Sequence, residues 1–319
     1  MFTVAGEVLE ELCGQMGIRD PREVEEFALF LIRGEGELVR PLWPHEYLNS
    51  VMVHQDVSLH SRRLGWETPL HFDHPTYIDT HYGQVLRDYL QGKLMASAQE
   101  EPQLARLAAL QHLGRAIKSP PSEKDLLAYI PKPLQWQVNM ATMESLMGQE
   151  LRQLQGRSSQ EAQISFIGGS GTRGLWGKGW RGLPASLALG NEAGQVPEVS
   201  SCPALLRPEA TSQLPLFGYT VYVVLRVSKL VLPGPALLGL NRKHLILMDP
   251  SSQKLCCSIA LKDLQRLHLL SPLEEKGPPG LELNYGSADS PQTIWLELPQ
   301  AQELQNTIIF LLNDSTSST

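Results

Sequence analysis

Cysteine is scarce in this chain: four in 319 residues, Cys13, Cys202, Cys256 and Cys257. None forms a CxxC pair, so the spacing of a structural zinc site is missing. So few thiols also argue against a disulfide framework, and buried reduced cysteines are expected instead. Cys256 and Cys257, adjacent on a strand, should point to opposite faces. No apolar run approaches the length of a membrane span. Positive charge is short as well, with 27 Lys and Arg against 34 Asp and Glu and a net charge of −7. That balance argues against a nucleic-acid binder, which needs a basic surface, and against a strongly polybasic lipid patch. The opening MFTVAGEVLEELCG carries acids where a secretory signal would be basic and then apolar. These absences together predict a cytosolic chain.

Length and an apolar fraction of 42% allow two or three domains with real cores. Ala5, Val8, Leu9, Leu12 and Met16 recur at helical spacing over Thr3 to Met16, and Gly17 follows as a stop. Glu26 to Ile32 reads as a strand, Gly34-Glu35-Gly36 as a turn, and Leu38 to Leu42 as the returning strand. From about Thr76 to Ile167 the apolar pattern is helical, with Pro131 and Pro133 ending one helix and a break near Gly156 to Ser159. Ser122 with Asp125 forms a weak capping box. From Leu216 the period changes to two. Tyr219 to Val227, His244 to Met248, Leu255 to Ile259, Leu264 to Leu270, Leu281 to Tyr285 and Ile294 to Leu298 read as strands. Pro299 to Asn313 closes the chain as a helix with Ala301, Leu304, Ile308, Leu311 and Leu312 on one side.

Residues 168–208 fit neither pattern. They hold about a third of the glycine and two of the six tryptophans, and they show no period. This composition predicts a disordered insert.

Gly169, Gly171 and Gly174 match a dinucleotide fingerprint, preceded by Ile164-Ser165-Phe166-Ile167. The fingerprint needs a helix next to hold a pyrophosphate, and Leu175 to Gly182 is too rich in glycine to supply one. A chance match is the better reading, and no cofactor is expected. His71, Asp73, His74, Asp79 and His81 crowd together, but Pro75 interrupts them and the i, i+4 spacing of a helical zinc site is missing. A solvated connecting segment is expected there. No GxSxG or comparable nucleophile context occurs, so no catalytic residue is assigned. Arg40 and Arg62-Arg63 are candidates for a small basic face, against the simpler reading of solvated charge.

The element order is an α+β, multi-lobe one: a partial ubiquitin-like lobe, a helical bundle, and a pleckstrin-homology-like β-barrel with a C-terminal helix. It resembles a FERM domain, whose middle lobe is similar to acyl-CoA-binding protein. The run EVEEFALFLIRGEGELVRPLWPHEYLNSV (Glu23 to Val51) contains an R-P-L-x-P-x-E-Y-L stretch and resembles the end of the first lobe in myosin tails. VSLHSRRLGWETPLHFDHPTYIDTHYGQVLRDYLQGKL and SQLPLFGYTVYVVLRVS are similar to the openings of the second and third lobes of class XV unconventional myosins. The resemblance implies a truncated first lobe at 1–55, a second at 56–167, an insert at 168–208, a third at 209–313 and a disordered tail at 314–319. The missing opening hairpin suggests a fragment or a variant start, and the insert suggests retained non-coding sequence or an alternative exon, with an incomplete, weakly functional splice variant as an alternative reading.

The resemblance further implies a non-catalytic, cargo-binding module. Its partners would be scaffold proteins or membrane-protein tails, with inositol lipids as an alternative and no nucleic acid. Its link to actin, in protrusions such as stereocilia, would run through a motor domain outside this chain. Pleckstrin-like lobes that bind peptides use an open strand edge beside the C-terminal helix. Here that edge would be Leu264 to Leu270, including Arg266, Leu267, His268 and Leu269. The helix would contribute Gln305, Ile308 and Ile309.

Overall fold

The computed structural model describes all residues except 1–2, 34–36, 49–56, 95–99, 118, 169–209, 229–233, 273–276, 288 and 317–319. The expected turn at Gly34 to Gly36, the glycine fingerprint and nearly all of the expected insert therefore lie outside the described residues. The chain divides into two units, residues 1–68 with 218–319, and residues 69–217.

The first unit opens with helix α1 (Ala5–Gln15) and the short helix α2 (Pro21–Val24). Asp20 caps α2 by accepting from the Arg22 N–H, and Pro21 occupies the first turn, where its missing N–H costs nothing. Strands β1 (Phe27–Arg33), β2 (Glu37–Pro41) and β3 (Val57–Arg63) form an antiparallel sheet in the order β2-β1-β3. The third strand was not read from sequence, where its residues were assigned to the opening of the helical lobe. Strand β1 is apolar at nearly every position because both its faces are covered. Leu29 and Leu31 pack toward α1. Ala28, Phe30 and Ile32 instead join a large core with residues from the C-terminal third of the chain.

That third contains β4 (Thr220–Val224), β5 (Arg226–Val227), β6 (Ala236–Leu240), β7 (His244–Asp249), β8 (Lys254–Ala260), β9 (Leu264–Leu270), β10 (Gly280–Ser287) and β11 (Ser290–Glu297). Among the described residues the strands of the expected barrel do not close on themselves. The strands make two four-stranded antiparallel sheets, β4-β6-β7-β8 and β5-β11-β10-β9. One continuous segment feeds both, because the chain leaves the first sheet after Val224 and joins the second at Arg226. Its alternation resolves into a core side carrying Tyr222 and Val224, while Val223 and Leu225 are exposed. The C-terminal helix, Ala301–Thr316, buries Ala301, Leu304, Ile308 and Leu311 in the shared core. It extends through residues 314–316, expected from sequence to belong to the tail. Trp43 packs on Phe310, with ring centroids 5.1 Å apart.

The second unit is helical. Its long helices are α3 (Pro75–Leu90), α4 (Glu101–Gly114), α5 (Glu123–Tyr129), α6 (Met140–Gln153) and α7 (Ser159–Ile167), which makes the C-terminal helix α8. The Ser122 capping box forms: the Asp125 carboxylate accepts from the Ser122 N–H at 2.8 Å, and the Ser122 hydroxyl accepts from the Asp125 N–H at 3.3 Å. Ser158 and Glu161 make a second box at the start of α7. Ile164 to Ile167 lie in this helix, so the strand that a dinucleotide fingerprint requires is replaced by a helix. Phe166 sits edge-on between Tyr82 and Tyr89, at 5.4 and 5.6 Å, an arrangement favoured by the ring quadrupoles.

Candidate functional site: a strand edge beside the C-terminal helix

Strand β9 lies at the edge of its sheet, with β10 on one side and no described strand on the other. Its backbone polarity follows from the neighbouring hairpin. The Leu298 N–H donates to the Pro279 carbonyl, which sets the hydrogen-bonded pairs between β10 and β11. Alternation then turns Gly280, Glu282 and Asn284 toward β9, opposite Leu270, His268 and Arg266. The amide and carbonyl groups of Leu267 and Leu269 therefore face the free edge. Between Asn284 and Tyr285 the register shifts, leaving Gln265 as an extra residue. The edge is regular from Arg266 to Leu270.

The side chains divide by face. Leu267 and Leu269 stand opposite Leu283 and Leu281 on the inner face, and Leu267 packs against the core. Leu269 lies at the rim, 42% exposed. Arg266 and His268 stand over Asn284 and Glu282 on the outer face. Leu264 is half-buried against the core. On α8, Ile309 is 37% exposed and Gln305 is half-buried. Ile308 is fully buried and serves as core beneath the site.

The other candidates from sequence separate. Arg63 belongs to no basic face. Its side chain is fully buried, donating to Glu26 at 2.8 and 2.5 Å, to Glu23 at 3.1 Å and to the Thr68 hydroxyl at 2.6 Å. Arg40 is held by Glu46 in a two-pronged pair at 2.7 and 2.6 Å, while the same carboxylate accepts from the Trp43 N–H. This explains the R-P-L-x-P-x-E spacing as a self-closing turn. Burial perturbs Glu46 most, yet its bonds to Arg40 and Trp43 win and hold its carboxyl below the usual range. His71 pairs with Asp73 at 2.6 Å, and buried His81 stacks on Tyr77 with centroids 4.0 Å apart. Among the described residues no cluster of three metal-binding side chains occurs, and no helix is long and apolar enough to cross a membrane.

Cys256 and Cys257 do not divide between two faces. The register shift between Leu247 and Met248 makes Cys256 an extra residue in β8, and both thiols pack partly against the same core. One surface residue escaped the sequence reading altogether: Trp136, 81% exposed in the loop before α6. Its only signal was a tryptophan among prolines and glutamines.

Comparison with known proteins bears out the resemblance to FERM domains. The FERM central domain matches residues 67–170. Over 318 residues the chain is 64% identical to human unconventional myosin-XVB, covering 100% of this chain and 9% of that protein. Human unconventional myosin-XV is 26% identical over 313 residues, covering 95% of this chain and 8% of that protein. The chain thus spans under a tenth of these relatives. The human Myosin 7b C-terminal MyTH4-FERM domain, solved in complex with the harmonin-a PDZ3 domain, has the same fold. Its TM-score is 0.64 at 12% identity, covering 98% of this chain and 56% of that one. The Dictyostelium discoideum Myosin VII MyTH4-FERM MF2 domain gives a TM-score of 0.56 at 14% identity, covering 98% and 54%.

Proposed function

We propose that this chain is a non-catalytic, cargo-binding part of an unconventional myosin tail that captures an extended protein segment on the β9 edge. The observation that carries this reading is the regular edge from Arg266 to Leu270, with two backbone positions turned outward and Leu269 exposed at its rim. An added strand would pair with the backbone of Leu267 and Leu269 and set apolar side chains against Leu269 and Ile309. The Myosin 7b complex with a PDZ domain supports protein partners for such a module. Through a motor elsewhere in the parent protein, the cargo would be coupled to actin in protrusions such as stereocilia.

The test uses peptides selected from a random display library against the whole chain. Amide shifts on titration should concentrate in residues 266–270. Tight peptides that leave those amides unmoved would refute the groove.

A further inference from the structure

The helical unit carries a surface that the β9 groove does not use. At its centre is Trp136, the most exposed large apolar residue among those described. The turn that carries it is firmly closed. Lys132–Leu134 form a 3-10 turn, with the Leu134 N–H donating to the Pro131 carbonyl at 2.8 Å. The Gln137 N–H donates to the Leu134 carbonyl at 2.9 Å, and its side-chain amide donates to the Pro133 carbonyl at 3.2 Å. Leu134 and Val138 are buried on either side of Trp136. The Pro133 ring lies against Gly92, where an added Cβ would come within 2.6 Å of it. A tryptophan on so fixed a turn loses little freedom when covered, which is why such residues serve as anchors at interfaces.

The side-chain amide of Gln135 donates to the carbonyls of Leu127 and Ile130 at 2.9 and 3.2 Å. It thereby satisfies carbonyls that the end of α5 leaves open, and it ties the turn to that helix. Exposed Leu127 therefore lies within one bound segment's reach of Trp136. Lys124 is three residues before Leu127, on the same face of α5, and Lys132 opens the closed turn; both are exposed. Neighbouring carboxylates are engaged elsewhere. Asp125 accepts from the Ser122 N–H and hydroxyl at 2.8 and 2.7 Å, and Glu101 accepts from the Asn139 N–H at 3.4 Å. Among the described residues, Lys124 and Lys132 have no ion pair.

We propose that Trp136, Leu127 and Pro133 form the floor of a docking surface for a short acidic protein segment, separate from the β9 edge. An apolar side chain of that segment would cover Trp136 and Leu127, and its carboxylates would pair with Lys124 and Lys132. Charge selects the occupant. The chain as a whole carries −7, yet the rim of this patch presents two unpaired ammonium groups, which attract an acidic segment and repel a basic one.

Short random peptides, displayed on phage and selected against the whole chain carrying Leu269→Pro to silence the β9 edge, test this. Selected clones should be enriched in Asp and Glu around an apolar residue. They should bind Trp136→Ala, and a Lys124→Glu, Lys132→Glu double variant, at least about tenfold more weakly. Added salt should weaken them too. These variants change exposed side chains, so circular dichroism and melting temperature should hold. Finding no clones sensitive to Trp136→Ala, or clones rich in Lys and Arg, would overturn the proposal. So would phosphatidylserine vesicles or a second copy of the chain held through Trp136 with no acidic peptide captured, which would assign the patch to a lipid surface or a dimer. Because the β9 edge is already silenced, failure of the groove and failure of this surface are read separately.

Discussion

Arg63 and Glu26 form a buried charge pair across 37 residues of sequence, with two nitrogens of the guanidinium on one carboxylate oxygen at 2.8 and 2.5 Å. The other carboxylate oxygen accepts from the Glu67 and Thr68 N–H groups at 2.8 and 2.6 Å. This knot ties the end of β3 to the start of β1, with Trp66 and Phe27 over the guanidinium at 5.1 and 5.5 Å. Removing Arg63 would strand two buried carboxylates. Arg63→Ala is therefore expected to cost about 3–5 kcal/mol, read from the denaturation midpoint. A loss well below 1 kcal/mol would show that water reaches Glu23 and Glu26.

Gly168 ends α7 with φ of 122°, a region that side-chain-bearing residues rarely adopt. A Cβ there would lie 1.9 Å from the Ser212 hydroxyl oxygen. Gly168→Ala should destabilise the helical unit by more than about 1 kcal/mol, measured by thermal unfolding.

His112 is buried and bonds through Nδ1 to the Tyr129 hydroxyl at 3.0 Å. Burial holds its folded pKa below the ordinary 6.5. As pH falls below 6.5, the unfolded chain binds a proton that the folded chain resists. Stability contributed by the neutral ring is full above that value and declines through the window down to the folded pKa. His112→Asn should flatten this slope in a pH series of melting temperatures, whatever its effect on the absolute level. An unchanged slope would assign the acid sensitivity to other groups.

Cys13 is fully buried, and burial pushes its thiol up to about 11 from 9.0. At a given pH its thiolate fraction is about 100-fold below that of an ordinary thiol. Half-exposed Cys256 should react with iodoacetamide well before Cys13 in the native chain, and denaturant should abolish the difference. Peptide mass mapping over time reads the order.

Leu269→Pro removes one outward N–H from the β9 edge and trims an exposed leucine. Peptides captured at that edge should bind at least about tenfold more weakly, while the melting temperature changes little, because Leu269 donates nothing to β10. Equal binding by both proteins would move the site elsewhere.

Much of this architecture was readable in the one-dimensional pattern. Periods of 3.6 and 2 placed the helices of residues 75–167 and the strands from Leu264 onward, because their apolar residues recur at helical or strand spacing. The Ser122 box and the helix break before Ser159 came from local chemistry alone. Strand β3 escaped because Ser, His and Arg alternate there with few apolar residues, and β6 because ALLGL is short and contains glycine.

What the sequence determined is a set of amphipathic elements, since helix and strand follow from local spacing. Only the tertiary structure decided their neighbours. It buried Arg63, which as a dipeptide with Arg62 resembled surface charge, because two glutamates converge on it from residues distant in the chain. It made Ile308 core and left Ile309 exposed, because α8 turns one face to the two sheets. It set both thiols of β8 against one core, because a single extra residue shifts the register, and register is a property of paired strands.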